Sequence, residues 1–196
     1  MRVMVVGSGG REHALAARLR ASPQVSDLIC APGNGGTARI ARNLPVNVED
    51  VNAIVQLART ELVDFVVVGP EAPLVAGVVD ALTEAGIPAF GPKRAGAQLE
   101  GSKAYSKEFM RRHGVPTAEF AVFEELAAAR SFVEQSGRAW VVKADGLAAG
   151  KGVIVAEDVA ETLDALERML GQREFGQAGA RVVLEQRLRG QEVSYH

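Results

Sequence analysis

Three stretches of the sequence combine residue types suited to holding phosphate and sugar groups. The first is Gly7-Ser8-Gly9-Gly10-Arg11-Glu12-His13, where small residues allow a tight turn and free backbone amides can face an anion. Arg11 adds a guanidinium able to grip phosphate through two parallel hydrogen bonds. The dinucleotide fingerprint G-x-G-x-x-G is not met, because Glu12 stands at the third glycine position. Cys30-Ala31-Pro32 also stands where that fingerprint needs an acidic residue, so a nicotinamide cofactor is disfavoured. The bland alternative is a tight turn with no ligand.

The second stretch is Lys143-Ala144-Asp145-Gly146-Leu147-Ala148-Ala149-Gly150-Lys151-Gly152. It resembles a P-loop and fails as one: the spacing from Gly146 to Gly150-Lys151 is one residue short, and Gly152 occupies the Ser/Thr position. A strand is expected after it, whereas a P-loop opens a helix. Strand, glycine loop, strand describes a flap that folds over phosphates with its amides and Lys151 turned inward. In Trp140–Asp145 the period of two puts Lys143 beside Val141, and a lysine inside a strand usually has an anionic partner, the alternative being a solvated hairpin with a snorkelling lysine. The third stretch is Glu185-Gln186-Arg187-Leu188 with Glu192 beyond it, a strand end whose backbone could read an adenine edge and whose later carboxylate could hold a ribose. Surface charge is the alternative for both acids.

Positioning these residues falls to a βα alternation over the first 90 residues. Strands are expected at Arg2–Val6, Val25–Ala31, Phe65–Val68 and Ile87–Phe90, and helices at Glu12–Arg20, Asp50–Glu61 and Leu74–Ala85. Continuous apolar strands imply a parallel sheet covered on both faces. Its ligands would sit beyond the carboxyl ends of the strands, where Gly33-Asn34-Gly35-Gly36 and Gly69-Pro70-Glu71 also fall. Glu71 there either accepts from sugar hydroxyls or charges the start of a helix near Leu74.

Gly91-Pro92 marks a boundary, giving domains over 1–92 and 93–196, the second with a lid subdomain of about 115–190. A helical stretch Arg94–Arg112, interrupted near Gly101-Ser102, leads into it. Strands then follow at Glu119–Val122, Ala139–Lys143, Val153–Ala156 and Arg181–Gln186, with helices at Glu124–Gln135 and Val159–Leu170. Glu192–His196 reads as the start of a strand with nothing after it, as though the chain were truncated.

Composition narrows the function classes. The 196 residues carry a net charge of −2, which excludes nucleic-acid binding by bulk basicity. No apolar run approaches the roughly 18 residues of a membrane span, and the N-terminus lacks a signal-peptide pattern. The lone cysteine, Cys30, fits a reducing cytoplasm, and His13, His113 and His196 are too scattered for a local metal motif.

Taken together, VVGSGGREHALA (Val5–Ala16), APGNGGTA (Ala31–Ala38), VVGPEAPLVAGVVD (Val67–Asp80), LEGSKAYSK (Leu99–Lys107), GVPTA (Gly114–Ala118), VVKADGLAAGKGV (Val141–Val153) and VVLEQRLRGQEVS (Val182–Ser194) resemble the glycinamide ribonucleotide synthetase family of the ATP-grasp superfamily. The resemblance runs through nearly the whole chain. It implies an α/β fold: a Rossmann-like (pre-ATP-grasp) parallel sheet followed by an incomplete ATP-grasp domain. It also implies ATP-dependent joining of glycine to 5-phosphoribosylamine through a glycyl phosphate.

By position, Lys103 and Lys143 would contact ATP phosphates, with Lys143 the catalytic candidate, and Gly146, Ala149, Gly150, Lys151 and Gly152 would form the lid. Glu185, Gln186 and Leu188 would bind adenine and Glu192 the ribose, while Gly9, Gly10, Arg11, Asn34, Gly69 and Glu71 would line the phosphoribosylamine site. The Mg2+ that accompanies ATP would find its ligands beyond residue 196, so no metal ligand is assigned here. The competing readings are another ATP-grasp carboxylase or ligase, and a non-catalytic nucleotide-binding fragment.

Overall fold

In the computed structural model, which describes residues 1–148 and 151–194, the chain forms two units, Met1–Gln98 and Leu99–His196. The first is built on strands β1 (Arg2–Gly7), β2 (Asp27–Pro32), β3 (Arg42–Asn43), β4 (Phe65–Val68) and β5 (Ala89–Phe90). All pair in parallel, in the order β3-β2-β1-β4-β5. Helices α1 (Gly10–Arg20), α2 (Val51–Thr60), α3 (Glu71–Ala76) and α4 (Val78–Glu84) connect them.

The strands are apolar throughout because both faces are covered. Met4 and Val6 of β1 pack with Ile29, Ile54, Val66 and Leu82 on one side. Val3 and Val5 pack with Ala16, Leu28, Cys30 and Val67 on the other. Chain order reverses between β1 and β4, and that switch point opens the crevice in which doubly wound sheets bind ligands.

The single helix expected over Leu74–Ala85 is two. It begins at Glu71, with Pro73 tolerated in the first turn, and breaks at Gly77, whose φ of +92° ends α3 before α4 starts. Helix α5 (Arg94–Gly101) follows.

The second unit opens with α6 (Lys103–Arg112), whose N-cap Ser102 accepts the Tyr105 amide at 3.0 Å. Its sheet contains β6 (Phe120–Phe123), β7 (Trp140–Ala144), β8 (Val153–Val155) and β9 (Val182–Gln186), antiparallel in the order β6-β9-β7-β8. Helices α7 (Leu126–Ser136) and α8 (Val159–Leu166) cover one face, enclosing Trp140, Val142, Leu184, Leu166 and Met169.

The helix expected to run to Leu170 widens after Leu166 into a π turn, Glu167–Gly171. Gln191–Ser194 form no strand, contrary to the expectation for Glu192–His196, whose last two residues lie outside the described ones. Alternation along β7 and β9 leaves Val141, Lys143 and Glu185 on the face opposite the α7/α8 core, with Val141 opposite Glu185 and Lys143 opposite Val183.

Candidate functional site

In the first unit the loops after β1, β2 and β4 interlock around Glu12. This carboxylate is only 4% exposed. Its Oε2 accepts the Gly9 amide at 2.7 Å, and its Oε1 accepts Arg11 Nε at 3.1 Å. The space it fills exists because two neighbours lack a Cβ: one built at Gly69 would lie 2.1 Å from Glu12 Oε1, and one at Gly7 would lie 2.7 Å from its Cγ. Glu12 therefore occupies the room that a third fingerprint glycine would leave open, and it turns the loop amide inward.

Arg11 and Glu71 come together, Arg11 Nη2 to Glu71 Oε1 at 3.3 Å. Glu71 is the first residue of α3, and its own backbone amide, followed by Arg11, holds its carboxyl below the usual carboxylate range. It thus charges a helix start at Glu71 instead of near Leu74, while its side chain stays partly exposed. Gly10 is exposed at the start of α1, with open space around it.

Asn34 bridges two loops. Its Nδ2 donates to the Ser8 and Gly9 carbonyls at 2.9 and 3.2 Å, and its Oδ1 accepts the Gly36 and Thr37 amides at 2.7 and 3.0 Å. Buried Thr37 extends the bridge by donating to Asn43 Oδ1 at 2.9 Å. The Gly69 amide is taken by the Val6 carbonyl at 3.1 Å.

In the second unit α6 and β7 bring Lys103 and Lys143 close enough for their charges to repel. Lys103 Nζ donates to the Gly146 carbonyl at 3.1 Å, and burial, with Lys143 adding to it, pushes its pKa below the usual lysine value. Lys143 Nζ meets Glu185 Oε1 at 2.9 Å, the anionic partner that a lysine on a strand face requires. Buried Asp145 ties the end of β7 to the start of α6: it accepts the Ala104 amide at 2.7 Å and Ser102 Oγ at 3.0 Å. The Lys103 amide donates in turn to the Asp145 carbonyl at 3.2 Å.

Of the glycine loop, Gly146 adjoins Ala178, Lys151 is exposed and Gly152 is buried. The Gly152 carbonyl accepts the Ala144 amide at 2.8 Å, closing the β7–β8 hairpin. Ala149 and Gly150 lie outside the described residues.

At the end of β9 the Gln186 amide donates to the Glu119 carbonyl at 2.8 Å. Leu188 is 69% exposed, and Glu192 is exposed in the irregular segment that follows. Arg187 pairs with Glu157, which follows β8, at the same end of the sheet.

Sequence reasoning missed Glu12, Asp145 and Lys107. Lys107 had a signal: it lies one helical turn after Lys103, and like charges at i, i+4 are unfavourable unless one of them has a partner of its own. Among the described residues no group of three or more His, Cys, Asp or Glu could hold a metal, and no helix is long and apolar enough to cross a membrane.

Two family models match the chain. Residues 1–100 match the N domain of phosphoribosylglycinamide synthetase, and residues 101–196 match its ATP-grasp (A) domain. Similar curated proteins include a phosphoribosylamine–glycine ligase of Allochromatium vinosum, 54% identical over all of this chain and 46% of its own length. Another from Xylella fastidiosa is 56% identical over all of this chain and 45% of its own. The chain thus spans about half the length of the curated relatives it matches.

A solved phosphoribosylamine–glycine ligase from Thermotoga maritima superimposes with a TM-score of 0.75 at 32% identity, covering 97% of this chain and 45% of that one. The biotin carboxylase domain of a Hydrogenobacter thermophilus 2-oxoglutarate carboxylase shares the fold at 21% identity and a TM-score of 0.75, covering 94% of this chain and 43% of that one.

Proposed function

The chain belongs to the phosphoribosylglycinamide synthetase family, and from that premise we propose that it serves the ATP-dependent ligation of glycine to 5-phosphoribosylamine. The products are glycinamide ribonucleotide, ADP and phosphate. The single observation that carries the reading is the convergence of Lys103 and Lys143, two ammonium groups from a helix start and a sheet face, beside a glycine loop. Such a pair neutralises the phosphates of a nucleotide and the charge that moves during phosphoryl transfer.

In the proposed sequence a glycine carboxylate oxygen takes the terminal phosphoryl group of ATP, releasing ADP. The amine of phosphoribosylamine then attacks the acyl carbon; the C–N bond forms, the bond to phosphate breaks, and the amine loses a proton. Phosphorylation supplies the leaving group that a carboxylate lacks. The residues of this chain act by binding and orienting, and none is assigned as a general base.

Lys103 and Lys143 hold phosphates, with the loop from Gly146 to Gly152 as lid in a subdomain of about 115–190. The end of β9 holds the adenosine through Glu185, Gln186, Leu188 and Glu192. In the first unit, Gly9, Gly10 and Arg11 receive the phosphate of phosphoribosylamine, with Glu71 toward its sugar. Asn34 and Gly69 serve that site by tying its loops together. The described residues do not fit a magnesium site, so the ligands for the metal that accompanies ATP are assigned outside them. A cytoplasmic setting accords with a single cysteine and small polar substrates.

The test is ADP release by protein expressed from its full reading frame, given ATP, magnesium and fresh phosphoribosylamine, with and without glycine. Release that requires both small substrates is expected. Release indifferent to glycine, or supported equally by bicarbonate or formate, would overturn the choice of substrate.

A further inference from the structure

We propose that Lys107 is a positioning residue of the nucleotide site: its charge offsets Glu185 and so leaves Lys143 available to phosphate. The inference rests on the reading of Lys143 as a phosphate ligand. Lys107 is 6% exposed and projects from α6 toward β9. Its Nζ donates to Thr117 Oγ1 at 2.7 Å and to the Ala118 carbonyl at 3.5 Å, and meets Glu185 Oε2 at 3.0 Å. The Phe120 ring lies 5.7 Å from the same nitrogen. Lys143 takes the other carboxylate oxygen, Oε1, at 2.9 Å. One carboxylate, 8% exposed, is thus held between two ammonium groups, each on its own oxygen.

Charge balance gives the arrangement its consequence. Two ammonium groups and one carboxylate leave the triad at +1. Without Lys107 the triad would be neutral, and the whole carboxylate charge would fall on Lys143. In a poorly solvated site a charge binds most strongly to its nearest counter-charge, so Lys143 would be held by Glu185 and lost to an incoming phosphate. Holding β9 in the sheet does not require this arrangement, since β9 is hydrogen-bonded to β6 on one side and β7 on the other. Lys103 does not fill the role either, because its largest favourable charge partner is Asp145.

The test compares binding of ATP and of adenosine to the full-length protein by titration calorimetry. Their affinity ratio isolates what the phosphates contribute, and loss of packing alone leaves that ratio unmoved. Lys107→Met should lower the ratio about tenfold or more, the size of one charged hydrogen bond. Adding Glu185→Gln restores the +1 balance; a lost adenosine contact of Glu185 lowers both affinities alike, so the ratio should return to within about threefold of the original. Lys107→Gln, which keeps a donor for Thr117 while removing the charge, repeats the test if the methionine variant does not fold. An unchanged ratio in the folded single variants, or a loss that Glu185→Gln does not reverse, would overturn the proposal. A wild-type protein that binds ATP no more tightly than adenosine would instead overturn the nucleotide reading.

Discussion

Lys103 is the cation of the site whose charge is hardest to keep. Burial disfavours its ammonium form, the pull of Asp145 does not offset it, and Lys143 nearby adds a like charge. For stability, a folded-state pKa below the unfolded value means that the charged group costs stability in full below the folded pKa, and the cost disappears as pH rises from there to the unfolded pKa. For binding the sign is opposite, because phosphate needs the ammonium. ATP affinity should therefore start to fall at a lower pH than an ordinary lysine would give. In Lys103→Arg, which stays charged throughout, that early fall should disappear, leaving only the decline at higher pH that an ordinary lysine gives. Calorimetric titrations across that range decide it; identical profiles for the two proteins would remove Lys103 from the phosphate contacts. The lysine on β7 was legible in the sequence because a strand has a period of two and a lysine on its face needs an anion. For Lys107 the sequence showed only its spacing from Lys103; its counter-charge, Glu185, comes from a strand far along the chain.

Among the elements, β1, α1 and β4 depend on one side chain fitting between glycines. Gly69→Ala would place a Cβ 2.1 Å from Glu12 Oε1, forcing that carboxylate out of its pocket and releasing the Gly9 amide and Arg11. The expected loss is about 1–3 kcal/mol in stability, read from denaturant unfolding. The KM for phosphoribosylamine should rise while that for ATP is unchanged. Glu12→Ala removes the obstruction, so the double variant should lose less than the sum of the two single changes. Additive losses would show that Gly69 matters for some other reason.

Most elements were legible for local reasons, as the unbroken apolar runs of β1 and β4 show. Gly77 was not, because the apolar residues on either side of it keep a helical period and only its positive φ divides α3 from α4. The two-residue β3 escaped for another reason: its pairing with β2 is a tertiary contact without a pattern of its own. At the site, Glu12 read as a broken fingerprint, whereas its carboxylate fills the space that the pattern left.

For the whole molecule, each unit has buried side chains of its own, so a ligand held by one should protect that one first. ATP at a hundredfold excess over its Kd should stabilise the unit Leu99–His196 by about 2.7 kcal/mol. Amide exchange should slow in β7 and β9 and stay unchanged in β1 to β5; equal slowing in both sheets would contradict the assignment of ATP to the second unit. The interior of the first unit also bears on how the loop between β7 and β8 can be watched. Cys30, the one cysteine of the sequence, is fully buried in β2, and burial raises its pKa, so it presents no reactive thiolate to an alkylating reagent. A cysteine introduced at exposed Lys151 by Lys151→Cys would then be the single reactive thiol of these residues, and a maleimide dye on it would test the proposed closure over nucleotide from one known position.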